Sequence, residues 1–454
     1  MMRLAIYFLV LLSILLPLRN SAATQQNEKT SSKHVVVISV DGMIPDYYLN
    51  PSRYGLKIPT IRQLLRQGSY AEAMQTIYPS LTYPSHTTLV TGVTPAKHGI
   101  YSNLKFSPLE KGTEWYWFAE DIQVPTLWTE ARKRGLTTAA IGWPVTVGAE
   151  IDFHLPEYWK GNLKATLKLA LEGASPSLRK RLELELKSDL DDFSDELRTR
   201  SAEIIIRDYK PNLVLLHLFE LDSAQHRFGI ASKEALTTLE RIDARIGRIV
   251  QALHEAKIYD HTTLFVISDH GFTDCRKLFH PRALLARAKL ITVSSTGSVT
   301  DWQVSTYGGG GSTAIILKDP KDKGSEQAAL KLFQEYALRP NSPIYKIVTR
   351  SELDKLGAYP AAAFALDAAT GYGFGYKLVG KELEDNPDKG CHGHLPSRAG
   401  LYASFIAAGR SIKQGVREPF LKNTAFAPTV AVLLGFELPS AEEKPAKQFL
   451  DLIK

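Results

Sequence analysis

His34-Val-Val-Val-Ile-Ser-Val-Asp41-Gly42 is the stretch on which the fold turns. An unbroken apolar run bounded by polar residues is the pattern of a strand buried on both faces, as in a parallel sheet. It ends in a carboxylate and a glycine. The carboxyl ends of such strands open into the crevice where α/β sheets bind ligands. A lone Asp-Gly after a strand is commonly a plain turn, so the weight comes from two repeats of the pattern. Asn212-Leu-Val-Leu-Leu-His-Leu-Phe-Glu-Leu-Asp222 reads as a strand that runs into Ser-Ala-Gln-His226. Thr262-Thr-Leu-Phe-Val-Ile-Ser-Asp269 runs into His270-Gly271. Apolar strands that each deliver an aspartate, two with histidine close by, predict one polynuclear metal site at the strand ends. The fold class is α/β: a mixed, mostly parallel sheet with helices on both faces.

Outward from these strands, proline at 59 and glycine at 68 bound a predicted helix. A strand over 70–77 follows. Tyr78-Pro-Ser-Leu-Thr82-Tyr-Pro-Ser-His86 then leads into another helix. Pro84 suits a first helical turn, which puts Thr82 just before a helix N-terminus, where backbone N–H groups and the dipole favour an anion. A threonine there is also an ordinary N-cap. His98-Gly-Ile-Tyr-Ser-Asn103 is a turn that places an amide close behind that helix. A helix over 125–134 and a strand over 137–143 come next. Residues 145–205 read as a helical insertion, and His217 as a core histidine. Apolar residues at spacings of three and four predict a long helix over 233–256. Residues 281–385 read as a small α/β cap insertion, with strands over 312–318 and 344–348 and a helix over 326–337. Gly308-Gly-Gly-Gly311 is a flexible loop there, without the G-K-[ST] of a P-loop. The chain returns through Gly390-Cys-His392-Gly-His394, a strand over 403–408 and a helix over 427–434.

The chain has 454 residues, 44% hydrophobic and 23% charged, ordinary for a globular protein. Met1-Met-Arg3, the apolar run over 5–18 and Ser21-Ala-Ala23 read as a secretory signal peptide over 1–23. The run is shorter than the about 20 residues a membrane span needs, and no transmembrane anchor is expected once it is cut. The mature catalytic domain is then 24–454. Cutting removes Arg3 and Arg19 and lowers the net charge from +7 to +5. No Lys/Arg block marks a nucleic-acid binder, so no stable nucleic-acid complex is expected. The expected location is the periplasm or the exterior. The only cysteines are Cys275 and Cys391. Without a C-x-x-C pattern neither reads as a metal ligand, and an oxidising compartment leaves a disulfide between them open.

Asp41, Thr82, Asp222, His226, Asp269, His270 and His392 are the candidate metal groups. Mixed Asp/His ligation suits zinc, with manganese the runner-up. The set exceeds what one tetrahedral ion needs. It is enough for two ions about 4 Å apart, the spacing that clamps phosphoryl transfer. One ion would acidify the Thr82 hydroxyl as nucleophile. The other would activate the water that resolves a covalent phospho-threonine. Asn103 and the helix N-terminus would donate to a non-bridging oxygen.

In order, Ser39-Val-Asp41-Gly, Thr82-Tyr-Pro-Ser-His86, His98-Gly-Ile-x-x-Asn103, Asp222-Ser-Ala-Gln-His226, Ser268-Asp-His-Gly271 and His392-Gly resemble the alkaline phosphatase superfamily, and within it the nucleotide pyrophosphatase/phosphodiesterase family. The resemblance implies an alkaline phosphatase-like fold. It implies one zinc on Asp222, His226 and His392 and a second on Asp41, Asp269, His270 and the Thr82 hydroxyl. His394 lies where that family often has tyrosine. The expected activity is hydrolysis of phosphodiester or pyrophosphate bonds in a small phosphoester, of nucleotide type. A phosphomonoesterase or a phosphonoacetate hydrolase of the same superfamily is the alternative, and a non-catalytic metal-bound binding protein is the alternative of another class. A sulfatase is not expected: threonine cannot give its aldehyde nucleophile, and the arginine of its C/S-x-P-x-R setting is missing. Similar monoesterases place Lys and Arg after the strand that here ends in Trp143-Pro144, which carries no cation. Trp115, Trp117, Phe118 and Tyr158 are candidate walls for a second phosphorus substituent. Lys160 and Lys164 are the nearby cations that would argue otherwise.

Overall fold

The computed structural model describes residues 34–109, 114–185 and 192–452. The expected signal peptide lies outside the described residues. The strands of the main sheet are β1 (His34–Val40), β2 (Ser69–Gln75), β3 (Thr138–Ile141), β4 (Phe153–Leu155), β5 (Leu213–Leu218), β6 (Thr262–Ile267) and Ala403–Gly409. Their order is β2, Ala403–Gly409, β6, β1, β5, β3, β4, with Arg417–Glu418 and Leu421–Lys422 at the β2 edge. Ala403–Gly409 runs antiparallel to both its neighbours, and the other pairs are parallel.

The apolar run of β1 explains its central place. Val36, Ile38 and Val40 face one apolar layer, and Val35 and Val37 face the other. Both faces are thus buried, as the period of two requires. The first layer is closed by α1 (Pro59–Gln67), α3 (Asp195–Tyr209), α4 (Glu220–Phe228) and α5 (Lys233–Glu255), the second by α2 (Thr82–Thr91) and the helix Phe426–Leu433. Ile38 is fully buried in the middle strand. Ile38→Ala is expected to cost about 2–5 kcal/mol of stability through lost burial and a residual cavity. A lowered urea midpoint at unchanged slope checks this.

Strand order also sets the site. β1 lies between β5 and β6, with Val40 beside Leu218 and Ser39 beside Ile267. The three Asp-bearing segments therefore leave the sheet side by side. Here the structure differs from the expected strand over 212–222. β5 ends at Leu218, and Asp222 sits in the first turn of α4. The Leu-Phe-Glu-Leu run is as apolar as a strand, but Leu221 and Ala224 turn a helical face to the core.

Beyond β6, β7 (Thr273–Phe279) pairs with Gly371–Phe374, Leu383–Asp385 and Gly390–Cys391. A separate antiparallel sheet, in the order Val304–Tyr307, Ser312–Leu317, Ala362–Ala368, Ile344–Thr349, packs with helix Lys323–Ala337 on its own apolar cluster. No helix among the described residues is long and apolar enough to cross a membrane.

Candidate active site

Asp41 leaves β1 with its N–H bonded to the Leu218 carbonyl. Gly42 follows at φ +69°, and a Cβ there would lie 2.8 Å from the Gln225 amide and 2.9 Å from the Phe272 ring. The left-handed backbone and the close packing both require glycine. Its N–H donates to Asp269 Oδ1 at 3.2 Å, which joins the ends of β1 and β6. The His270 Nε2 lies 3.2 Å from Asp41 Oδ1 and 3.1 Å from Asp269 Oδ2. On α4 the spacing of four puts Asp222 and His226 on one face, with His226 Nε2 at 3.4 Å from Asp222 Oδ1. His392, on the returning loop, brings its Nε2 to 3.6 Å from the same oxygen and stacks on the His270 ring at 3.6 Å. Among the described residues, two groups have ligand atoms close enough to hold an ion: Asp41, Asp269 and His270, and Asp222, His270 and His392, with His226 beside Asp222 but in neither group.

The donor chemistry fits cations. His226 Nδ1 donates to the Gly390 carbonyl, His270 Nδ1 to that of Gly271 and His392 Nδ1 to that of Ser80, at 2.9, 3.1 and 2.9 Å. In a neutral ring this leaves an unshared pair at Nε2, the tautomer a metal ligand needs. Asp41 Oδ1, Asp222 Oδ1 and Asp269 Oδ2 are buried without a hydrogen-bond donor. Three imidazole nitrogens and three carboxylate oxygens thus converge as acceptors, an arrangement that repels itself unless positive charge lies between them. The protein alone shows that strain. Burial, then the Asp222 charge, pushes the Asp41 carboxyl well up. Burial, then the Asp41 charge, does the same to Asp269. Burial raises Asp222, and burial with its imidazole neighbours holds His270 well down and His392 at about 3.

Thr82 is the first residue of α2, and Leu81 is its N-cap. The threonine hydroxyl is therefore not spent on capping, as an N-cap threonine's would be. It lies 3.4 Å from His270 Nε2, which is itself 3.2 Å from Asp41 Oδ1 and 3.1 Å from Asp269 Oδ2. The Tyr83 N–H donates to Asn103 Oδ1 at 3.0 Å, which leaves the Asn103 amide as a donor at the head of α2. His98 holds that turn: its Nδ1 accepts from Ile100 N–H at 3.1 Å and its Nε2 lies 3.1 Å from the Thr88 hydroxyl.

Every candidate residue is at this one place, and the structure adds others. His86 links Ser39 Oγ to the Thr82 carbonyl, each at 2.9 Å. His217 is in the core as expected, yet its Nε2 bonds Asp41 Oδ2 at 3.1 Å. Behind it lie Glu157 and Arg198, a fully buried pair at 2.9 Å. Nothing in their spacing singled them out. His394 is buried against Gly311, where a Cβ would come within 2.0 Å of its ring. Gly310, at φ +67°, would meet the His392 carbonyl at 2.5 Å. The tetraglycine loop is thus a tight seat for the His392 segment, and its N–H at Gly311 bonds the His392 carbonyl at 2.6 Å. Cys275 and Cys391 are buried, free thiols. A row of aromatic rings runs from buried Tyr83 through half-buried Trp115 and Trp159 to buried Phe219 at 5.3, 6.4 and 5.0 Å, with half-buried Trp117 on Tyr158 at 5.4 Å beside them.

Comparison with known proteins bears on this constellation. Human ectonucleotide pyrophosphatase/phosphodiesterase family member 1 is 26% identical over 271 residues, 57% of this chain and 26% of that protein. Venom phosphodiesterase of Macrovipera lebetinus is 26% identical over 274 residues, 57% of this chain and 28% of that protein. These matches span little more than a quarter of the relatives' own length. The fold matches murine ectonucleotide pyrophosphatase / phosphodiesterase 5 with a TM-score of 0.66 over 92% of this chain and 100% of that one, at 19% identity. An inactive variant of that murine protein is known in complex with AMP. The expected alkaline phosphatase-like fold is borne out. The profile of the type I phosphodiesterase / nucleotide pyrophosphatase family matches residues 35–393. It opens on the second residue of β1 and closes one residue beyond His392, so it takes in every strand-end residue described above, and the chain belongs to that family.

Proposed function

We propose that this protein is an exported, two-metal phosphodiesterase of the nucleotide pyrophosphatase type that works through a phospho-threonine. The observation that carries the reading is the convergence of unshared acceptors from Asp41, Asp269 and His270, with the Thr82 hydroxyl 3.4 Å from His270 Nε2. Asp222, His226 and His392 would hold one zinc and Asp41, Asp269, His270 and Thr82 the other. Zinc bound there would supply Lewis acidity that favours the ionised Thr82 hydroxyl and positive charge for the phosphoryl oxygens. Thr82 Oγ1 forms the bond to phosphorus as the ester or pyrophosphate oxygen leaves, and water later cleaves the phospho-threonine. The Asn103 amide donates to a non-bridging oxygen, supported by the N-terminal dipole of α2. The half-buried rings of Trp115 and Trp159 give the second substituent a surface on which a base stacks. Residues 281–385 are the cap in this reading, and the leader over 1–23 directs export to the periplasm or beyond.

Diesters are preferred over monoesters. A monoester dianion needs an additional cation on its non-bridging oxygens. Trp143 and Pro144 are buried without one, and Lys160 and Lys164 point to solvent. Arg198 is neutralised by Glu157. One charge-assisted contact is worth about 1.5–3 kcal/mol, so the diester should lead by about tenfold or more. The test compares kcat/KM of the zinc-loaded protein on a nitrophenyl nucleotide diester and on nitrophenyl phosphate at one pH. A monoester preference overturns the diesterase assignment and leaves the threonine mechanism standing.

A further inference from the structure

Asp41 uses its two oxygens differently. Oδ1 faces the acceptor cluster at 3.2 Å from His270 Nε2, while Oδ2 accepts from His217 Nε2 at 3.1 Å. A carboxylate free at both oxygens can rotate or chelate through both. One whose second oxygen is held by a fixed N–H presents a single oxygen in a single direction. His217 is itself held: its Nδ1 is 3.1 Å from Glu157 Oε2 and 3.0 Å from the Gly142 carbonyl. Glu157 Oε2 meets Arg198 Nη2 at 2.9 Å, and Arg198 Nη1 donates to the His217 carbonyl at 3.0 Å. The guanidinium sits between the Phe193 and Phe219 rings at 4.4 and 4.5 Å. All three side chains are shut off from solvent. A buried ion pair is weak as a source of stability, because desolvation offsets most of the attraction. Here it ends on a residue at the reaction centre.

We propose that Arg198, Glu157 and His217 form a buried positioning chain that holds Asp41 for single-oxygen coordination of one metal ion. Four separate segments supply the chain: the loop after β4, α3, β5 and the end of β1. Its other branch reaches the substrate side, since Glu157 Oε1 accepts from Trp159 Nε1 at 3.1 Å and Trp159 belongs to the aromatic wall. None of the three touches the reacting atoms, so they are positioning residues. The inference rests on the two-metal reading above.

The test measures zinc affinity by chelator competition on the full chain, together with zinc content and melting temperature, for wild type, His217→Leu, His217→Asn and His217→Gln. The outer partners of metal ligands are typically worth 10–100-fold in affinity. His217→Leu is therefore expected to bind one ion as before and the other about 10–100-fold more weakly. Gln carries an amide N–H to about the place of the imidazole Nε2 and should restore most of the affinity. Asn carries its amide near the Nδ1 place and should not. A role confined to packing would not separate Gln from Asn in this way, and the pair decides the matter even if the Leu variant fails to fold. A wild-type protein that binds two ions, with Leu and Asn variants that bind both unchanged, overturns the chain alone. A wild-type protein that binds no ion overturns the two-metal reading and the chain with it.

Discussion

Thr82→Ala is expected to lower kcat by on the order of 10³-fold or more while the protein folds and keeps the Asp and His ligands of both ions. The geometry separates the two effects. Thr82 opens α2 at its first helical position, and the helix is capped by Leu81 without a side-chain bond. Loss of the hydroxyl therefore removes no capping interaction. The remaining groups of the acceptor cluster come from other segments and keep their own tethers, Asp269 through Gly42 N–H and His270 through the Gly271 carbonyl. What is lost is the oxygen 3.4 Å from His270 Nε2, the hydroxyl that the proposed reaction uses as nucleophile. Thr82→Ser keeps that oxygen but frees its rotamer, because the second Cβ substituent that restricts χ1 is gone. A part of the rate should survive, within about 10²-fold of wild type, the cost of a misplaced group. Steady-state turnover on the nucleotide diester, with zinc content and melting temperature as controls, checks both variants. Near-normal turnover in Thr82→Ala would mean that hydroxide attacks phosphorus directly and that no phospho-threonine forms.

The residues that sequence reasoning expected at the strand ends, and that the fold brings together there, share a physical reason. Asp41, Asp269 and His270 follow unbroken apolar strands, and a buried parallel strand can only deliver its last polar residue to the crevice at its end. Asp222 was legible as a member of the same set for a different reason than expected, since it rides on a helix and its partner is set by the spacing of four rather than by a strand end. Thr82 lies one position further into its helix than Pro84 suggested. That single position turns the hydroxyl from a capping group into one that faces the cluster. The central sheet was legible because its strands are apolar on both faces, while strand ends shifted by one to four residues where Gly142 or the start of α4 stops pairing. The buried chain behind Asp41 was not legible. His217 sits inside a strand pattern and reads as core, which it is. Glu157 and Arg198 lie in a charged, leucine-rich region where any Glu or Arg looks solvent-exposed. Only the packing of α3 against β5 and the loop after β4 brings them together. Chemistry announced by strand ends is local in sequence, and support that arrives from three other segments is not.

Removing the metal is expected to abolish turnover, zinc to restore it, and the stripped protein to melt at a lower temperature. The first two outcomes follow from the role of the ions in the proposed reaction. The third follows from the fold. Without positive charge, the buried oxygens of Asp41, Asp222 and Asp269 face the imidazole nitrogens with nothing to bind. The carboxyls answer by holding protons: burial raises Asp41 and Asp269 well above 3.8. A carboxyl raised in the folded state binds more protons there than in the unfolded chain. Its contribution to stability is full below the unfolded value and is lost as the pH climbs through the folded one. The stripped protein therefore weakens at the site as pH rises. Zinc requires the deprotonated carboxylates and gains affinity over the same range. Both terms have one sign, so the zinc-dependent rise in melting temperature should be larger at pH 8 than at pH 6, at equal free zinc. Calorimetric scans of loaded and chelator-treated protein at the two pH values read this gap directly, and metal analysis of the active protein should give two ions per chain. A gap that shrinks towards alkaline pH would mean that the ions are not held by these carboxylates. Full turnover with a single ion per chain would remove one of the two metal positions from the mechanism.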